Sequence, residues 1–272
     1  MEQLPEPDIF SGDSGMVFGI RATSKAVATD AMADTVALAR GWPWRLRRAA
    51  RAWPPRRILA VGIERPETPN LLDAARRELS SSHHEVRFAS GVAGGRGKFE
   101  NVNALLAANP PRDESWLIVL DDDVSLPRGF LDAFVFLAER FELRLAQPAH
   151  AARSHAAWRV TRRRATTAVR ETAFVEIGPV VAFHRATFDV LLPFPELRVG
   201  WGLDLHWSAL ARERGWKMGV VDATPIRHAS RRIASAYNRS DAVSEAREFL
   251  ADRQYTRASD AQRTLVSHRS WG

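Results

Sequence analysis

Three consecutive carboxylates, Asp121, Asp122 and Asp123, end the apolar run Trp116–Leu120. Clustered negative charge is costly unless something positive sits beside it. Acids so placed can hold a divalent cation through oxygen, and such a cation commonly bridges to substrate phosphates. A solvated turn with an aspartate as helix N-cap would use the same residues. Upstream, the loop Gly94-Gly95-Arg96-Gly97 runs into Lys98. Backbone N–H groups, a helix dipole and a lysine together favour an anion such as a diphosphate. The spacing matches neither the P-loop nor the dinucleotide fingerprint in full, and a tight turn would use the same glycines. Asp204 stands at the start of a further helical run, and His228 follows the last apolar stretch.

These residues need a frame. Ile58–Ile63 and Trp116–Leu120 read as buried strands and Val86–Ala89 as a short strand between them, separated by helices starting at Thr68-Pro69 and at Lys98 and ending at Leu79 and Ala108. Strand and helix alternating at this spacing predict a mostly parallel sheet with helices on its faces, and ligands bind outside the carboxyl ends of such strands. After Pro127 the pattern gives a helix to Arg140 and a strand at Leu143–Gln147, then a loop or lid over residues 149–170 rich in Ala, Arg and His. Strands at Ala173–Glu176 and Val180–Phe183 follow, then helices at Arg185–Leu192 and Leu203–Gly215. A last strand at Lys217–Val221, a helix at Asp241–Asp252 and a polar tail complete the chain. Residues 1–23 have no sustained period and are expected to be poorly ordered or to lie along the surface. Residues 24–53 read as helix broken at Gly41-Trp42-Pro43, and the basic second half is expected to pack on its own domain, with peripheral membrane contact as the other use of such a segment.

The chain has 272 residues with a formal net charge of +7 and a sequence pI of about 10.7. Arginine clusters at Arg45–Arg57 and Arg162–Arg164, with Arg231 and Arg232 beyond. A basic surface suits nucleic acid, anionic lipid or phosphorylated substrates. Cysteine is absent, so any metal must be held by Asp, Glu, His or backbone oxygen. No apolar run approaches the ~20 residues that cross a bilayer, and no signal segment is evident, so a cytoplasmic protein is expected.

Gly97–Leu106 followed by Trp116–Asp123 resembles the first half of family-2-type glycosyltransferases of the GT-A fold, members of the nucleotide-diphospho-sugar transferase superfamily. In them a Lys-x-x-x-x-Asn-x-x-Leu-like helix precedes an apolar strand ending in Asp-x-Asp. Gly178–Arg185 resembles the glycine-bearing strand near donor and acceptor, and Gly200–Asp204 the acidic helix start of inverting members. Trp201–Asp204, Met218–Asp222 and His228 also resemble, in order, a motif series of plant glycosyltransferase-like proteins.

The resemblance implies a single Rossmann-like GT-A domain and a metal-dependent transfer of one sugar from a UDP-, GDP- or dTDP-sugar to a small-molecule or glycan acceptor. It implies a donor site of Lys98, Asn103, Asp121, Asp122, Gly178, Trp201 and Gly202, and Mn2+ or Mg2+ on Asp123 and His228. Asp204 would be the base, since a carboxylate at a helix start can accept a hydroxyl proton. Leu203 stands where the family often has glutamate, and the Gln-x-x-Arg-Trp motif of processive synthases is missing, so a non-processive enzyme is expected. The expected division is an N-terminal helical extension (1–55), a catalytic domain (56–230) and a C-terminal helix and tail (231–272).

Two other readings use the same features. A haloacid-dehalogenase-type phosphatase also ends an apolar strand in Asp-x-Asp, but it wants a later lysine, and Lys217 is the single one after Asp123. A non-enzymatic binder of nucleic acid or anionic lipid explains the arginines but gives the three aspartates no role. Nucleic acid is therefore not expected as a partner.

Overall fold

Along β1 (Arg57–Glu64) and β3 (Trp116–Asp121) successive side chains point to opposite faces, and both faces are apolar. Leu59, Val61, Leu117 and Val119 enter one core layer, and Ile58, Ala60, Trp116, Ile118 and Leu120 enter the other. A strand buried on both sides in this way belongs inside a sheet covered by helices. The computed structural model describes residue 17 and residues 19–228 and 238–272. Arg231, Arg232 and most of the segment expected to lie along the surface fall outside the described residues.

Helices α1 (Gly19–Ala39) and α2 (Trp42–Ala52) precede β1. Then come α3 (Leu72–Ser80), β2 (Glu85–Val92), α4 (Lys98–Ala108), β3, β4 (Val124–Ser125), α5 (Phe130–Arg140) and β5 (Leu143–His150). The rest comprises β6 (Val169–Thr172), β7 (Val180–His184), α6 (Phe188–Leu191), α7 (Leu203–Glu213), β8 (Lys217–His228), α8 (Arg239–Leu250), α9 (Ala258–Ala261) and β9 (Thr264–His268). The strands form one sheet in the order β2-β1-β3-β7-β5-β8-β6-β9, with β4 pairing on β8. β2, β1 and β3 are parallel neighbours, as are β5 and β8, and β7 joins the two groups antiparallel to both. The result is the expected α/β architecture with a mixed sheet. Helices α4, α7 and α8 cover one face and α2, α3 and α5 the other.

Several boundaries differ from expectation: α1 starts at Gly19, β8 runs on from Val221 to His228, and the tail carries α9 and β9. The helix after β1 starts at Leu72, not at Thr68-Pro69. The chain is first pinned to the end of β3, where Leu71 N donates to the Asp122 carbonyl at 2.5 Å, and the Thr68 hydroxyl closes a turn onto the Arg65 carbonyl. Ala173–Glu176 is not a strand; pairing falls at Val169–Thr172, between β8 and β9, while Phe174 and Val175 turn into the core. The run Arg185–Leu192 divides into a short 3-10 turn and α6.

The N-terminal helices pack on the body of the protein. Asp30 of α1 is buried and accepts hydrogen bonds from Ala152 N at 2.7 Å and from Arg153 N and Nε, each at 3.1 Å. Asp34 pairs with Arg163 at 2.6 Å. On α2 the Trp42 ring meets Trp271 edge-on at 5.7 Å, and Arg45 lies over the same Trp271 ring.

The segment between β5 and β6 is anchored from below. Arg170 and Asp222 form a fully buried pair at 2.7 Å, with further bonds from the Thr167 hydroxyl and Arg164 N to Asp222 and from Arg170 to the carbonyls of Val160 and Arg162. Removing one partner leaves the other charge buried alone. Asp222→Ala is therefore expected to lower unfolding free energy by about 3–5 kcal/mol, read by chemical denaturation; a loss under 1 kcal/mol would mean water replaces the carboxylate.

Candidate active site

Each acid at the end of β3 has its own positive or N–H partner. Asp121 receives Lys98 Nζ at 2.7 Å, and the same ammonium donates to the Ile177 carbonyl at 2.8 Å. Asp122 is buried; its carboxylate accepts Arg65 N at 2.8 Å, and the Arg65 guanidinium lies 3.9 Å away. Asp123, also buried, faces His228 Nε2 at 3.1 Å. The last contact follows from strand register. β4 pairs antiparallel with β8 so that Val124 lies opposite His228, which brings the imidazole beside the preceding residue. Burial alone would hold the His228 imidazole down, but its hydrogen bond to Asp123 and the charges of Asp123, Asp121 and Glu176 outweigh that and raise its pKa.

Ligand atoms of Asp121, Asp123 and His228 lie within 4.8 Å of one another. Two carboxylates and an imidazole are a donor set for Mg2+ or Mn2+; here Asp121 is paired with Lys98, and Asp123 and His228 are paired with each other. The residues fit such an ion. A second group, His83, His84 and Asp132, has similar spacing. There His84 Nδ1 accepts Arg56 N at 3.1 Å, which puts the proton of the neutral ring on Nε2 and leaves that nitrogen no lone pair for a metal.

These acids line a cleft of about 430 Å³, within the range of small-ligand sites. Lys98, Gly178, Trp201 and Asp204 line it too, together with Arg65, Arg96 and Arg198. Gly178 is needed for its lack of a side chain: a Cβ there would sit 2.5 Å from Lys98 Nζ and 3.0 Å from Asp121 Oδ2. Gly202 is not in the lining; it holds the left-handed turn (φ +86) from which α7 starts. Asn103 is not brought to the cleft either. Its amide bridges the Phe194 backbone, donating to the carbonyl at 2.7 Å and accepting from the N–H at 3.0 Å. Asn101, two residues earlier, does line the cleft and ties the glycine loop together by donating to the carbonyls of Ala93, Arg96 and Gly97.

The glycine loop lines the cleft, and two of the N–H groups at its end are engaged inside the protein. The Glu100 carboxylate accepts Gly97 N at 2.5 Å, and Lys98 N donates to the Arg198 carbonyl at 3.0 Å. The start of α4 thus spends these N–H groups inside the protein, and positive charge reaches the cleft through Lys98 and the arginines instead.

Asp204 is in the opposite situation to the other acids. It is buried at the first turn of α7 with no basic side chain on it among the described residues; the N–H groups of Leu205, of Asp204 itself and of Ile177 are its hydrogen-bond donors. Burial, reinforced by the negative charge of Glu176, pushes its pKa up to about 7, against the pull of those N–H groups. Glu176 was not expected from the sequence. It lies just past β6 in an irregular stretch, held by the Thr161 hydroxyl, by Gln147 accepting its backbone N–H, and by His150 at 3.6 Å. A carboxyl of this kind is protonated in acid and becomes a base as pH rises through about 7, where a general base works best. Glu176→Gln keeps the shape and removes one charge, so Asp204 should titrate at lower pH. Carbon-13 NMR of the aspartate carboxyls reads that fall; an unmoved Asp204 titration would leave burial as its sole cause.

No protein-family model and no curated protein matches the chain. Among solved structures it is similar to GalNAc-T7 crystallised with UDP, GalNAc and Mn2+, at 13% identity and a TM-score of 0.45 over 65% of this chain and 44% of that one. It is also similar to S. aureus TarS (1–349) in complex with UDP-GlcNAc, at 10% identity and a TM-score of 0.48 over 75% and 69%. The chain thus spans less than half of GalNAc-T7. At these identities the likeness concerns the course of the chain and leaves the chemistry to the residues of the cleft.

Proposed function

We propose that this protein is a metal-dependent glycosyltransferase that moves one sugar from a nucleotide-diphosphate sugar to an acceptor hydroxyl, with inversion and without processive extension. One observation carries the reading: a cation-ready group of Asp121, Asp123 and His228 shares a single cleft with Asp204, a carboxyl tuned to act as a base at neutral pH. Asp121, Asp123 and His228 would hold Mn2+ or Mg2+. When bound, such an ion neutralises charge on a departing diphosphate. Lys98 with Arg65, Arg96 and Arg198 supplies further positive charge to the phosphates, and Asp122 keeps the Arg65 backbone in place. Gly178 and Trp201 wall the sugar. Asp204 takes the acceptor hydroxyl proton while that oxygen bonds to the anomeric carbon and the bond from that carbon to the diphosphate oxygen breaks.

Neither rival has comparable support. The lysine a phosphatase would need, Lys217, is engaged at the far end of β8 with Glu142 at 3.2 Å and Glu171 at 3.7 Å. Nucleic-acid phosphates would meet five carboxyl groups in this cleft.

A thermal-shift panel of UDP-, GDP- and dTDP-sugars with and without Mn2+ tests the donor and metal together, since a ligand that binds the folded state raises Tm, by RT ln(1 + [L]/Kd) in free energy. One donor should raise Tm only with Mn2+, and Asp123→Ala should lose both that rise and turnover; a rise that ignores the metal would remove the cation from the site. Asp204→Asn should keep the donor-induced rise but lose transfer by 10²-fold or more, roughly the general-base contribution, and wild-type transfer should climb with pH through about 7. Weakened donor binding in Asp204→Asn would make Asp204 structural instead.

A further inference from the structure

The two N-terminal helices bury little of themselves. On α1 the buried residues Ala26, Asp30 and Ala33 define one face. Ile20, Val27, Ala31 and Leu38, at spacings i, i+7, i+11 and i+18, form a separate stripe that is exposed, Ile20 by 87% and Leu38 by 51%. On α2, Trp42, Leu46 and Ala50 face inward, while Trp44, Arg47, Arg48 and Arg51 fall together on the outward side, with Trp44 65% exposed.

Charge on this pair is one-sided. Residues 19–55 contain seven basic residues and two acids, Asp30 and Asp34. Both acids are turned to the protein's own Arg153 and Arg163. Arg21, Lys25, Arg47, Arg48 and Arg51 have no ion pair among the described residues. Exposed aliphatic and indole side chains among unmatched arginines are the chemistry of a helix lying in a membrane interface, where apolar groups enter the acyl boundary and cations meet headgroups. A duplex would use the arginines but gain nothing from Ile20, Val27 and Leu38. A second copy of this chain would bring its own arginines against these.

We propose that α1 and α2 dock this protein on an anionic phospholipid surface, with Trp44 and the Ile20–Leu38 stripe entering the interface and Arg47, Arg48 and Arg51 on the headgroups. The inference is independent of the cleft's chemistry. No helix among the described residues is long and apolar enough to cross a membrane, so such contact is peripheral.

The test is sedimentation of the full chain with vesicles of phosphatidylcholine alone or mixed with phosphatidylglycerol. Binding should require phosphatidylglycerol and weaken as salt rises. Each arginine near such a surface contributes roughly fivefold to binding, so Arg47→Glu with Arg48→Glu should lower partitioning at least about 25-fold. Leu38→Ser with Trp44→Ala should weaken it at unchanged salt dependence, and all these exposed positions should leave Tm unchanged. The proposal is overturned by equal or absent binding to both vesicle types. It is also overturned by duplex DNA binding that outcompetes vesicles and ignores Leu38→Ser, or by self-association that Leu38→Ser abolishes in a chain that does not bind vesicles.

Discussion

Everything near the cleft answers one electrostatic constraint: three adjacent carboxylates at the mouth of a strand buried on both faces. Asp121 closes β3 while Asp122 and Asp123 sit in the turn after it, so the three carboxylates face different neighbours. The protein supplies a different counterpart from a different element to each. α4 sends Lys98 to Asp121, the end of β1 sends the Arg65 backbone to Asp122, and β8 sends His228 to Asp123. Each demand shapes the fold around it. Lys98 reaches Asp121 only because position 178 has no side chain. His228 arrives only because β8 runs on beyond the sheet proper and takes β4 as a partner.

Against that background Asp204 stands out by what it is denied. Charged groups on β3 are matched almost one for one, whereas α7 presents a carboxyl to a wall that already holds Glu176. The cleft therefore holds carboxyl groups in two settings within one small volume: three faced by basic or N–H partners, and Asp204, which burial and Glu176 push up to about 7. Carboxyl groups in such different surroundings are suited to different work.

Much of this was legible in the sequence, and the parts that were not share a cause. The strand Trp116–Leu120 announces itself because five apolar residues in a row have few other uses, and the acids after it are read with it. Glu176 is invisible because nothing local marks it; its importance comes from α7 packing beside it and from Thr161 and Gln147 holding it. Asn103 and Asn101 show a finer limit. A motif picks out the helix, but two positions along it the side chain points to the other side, so the amide that organises the glycine loop is not the one the motif selects. In the glycine loop the Gly97 and Lys98 N–H groups go to the Glu100 carboxylate and the Arg198 carbonyl, partners that side-chain reach and a distant segment supply and that no local pattern marks. The edge strand β9, mostly exposed, lacks the apolar alternation that would give it away.

The packing of Trp42 against Trp271, with Arg45 reaching the carbonyl of a residue 227 positions away, bears on how the chain comes to be folded. During synthesis α2 is made before any strand of the sheet, but its inner face has no tryptophan to close on until β9 has been made as well. Contacts of such long range form late, because the loop they close is entropically expensive. The nascent protein thus passes through a stage in which its sheet can assemble while α2 remains unlatched from Trp271, and loss of that indole would leave it so.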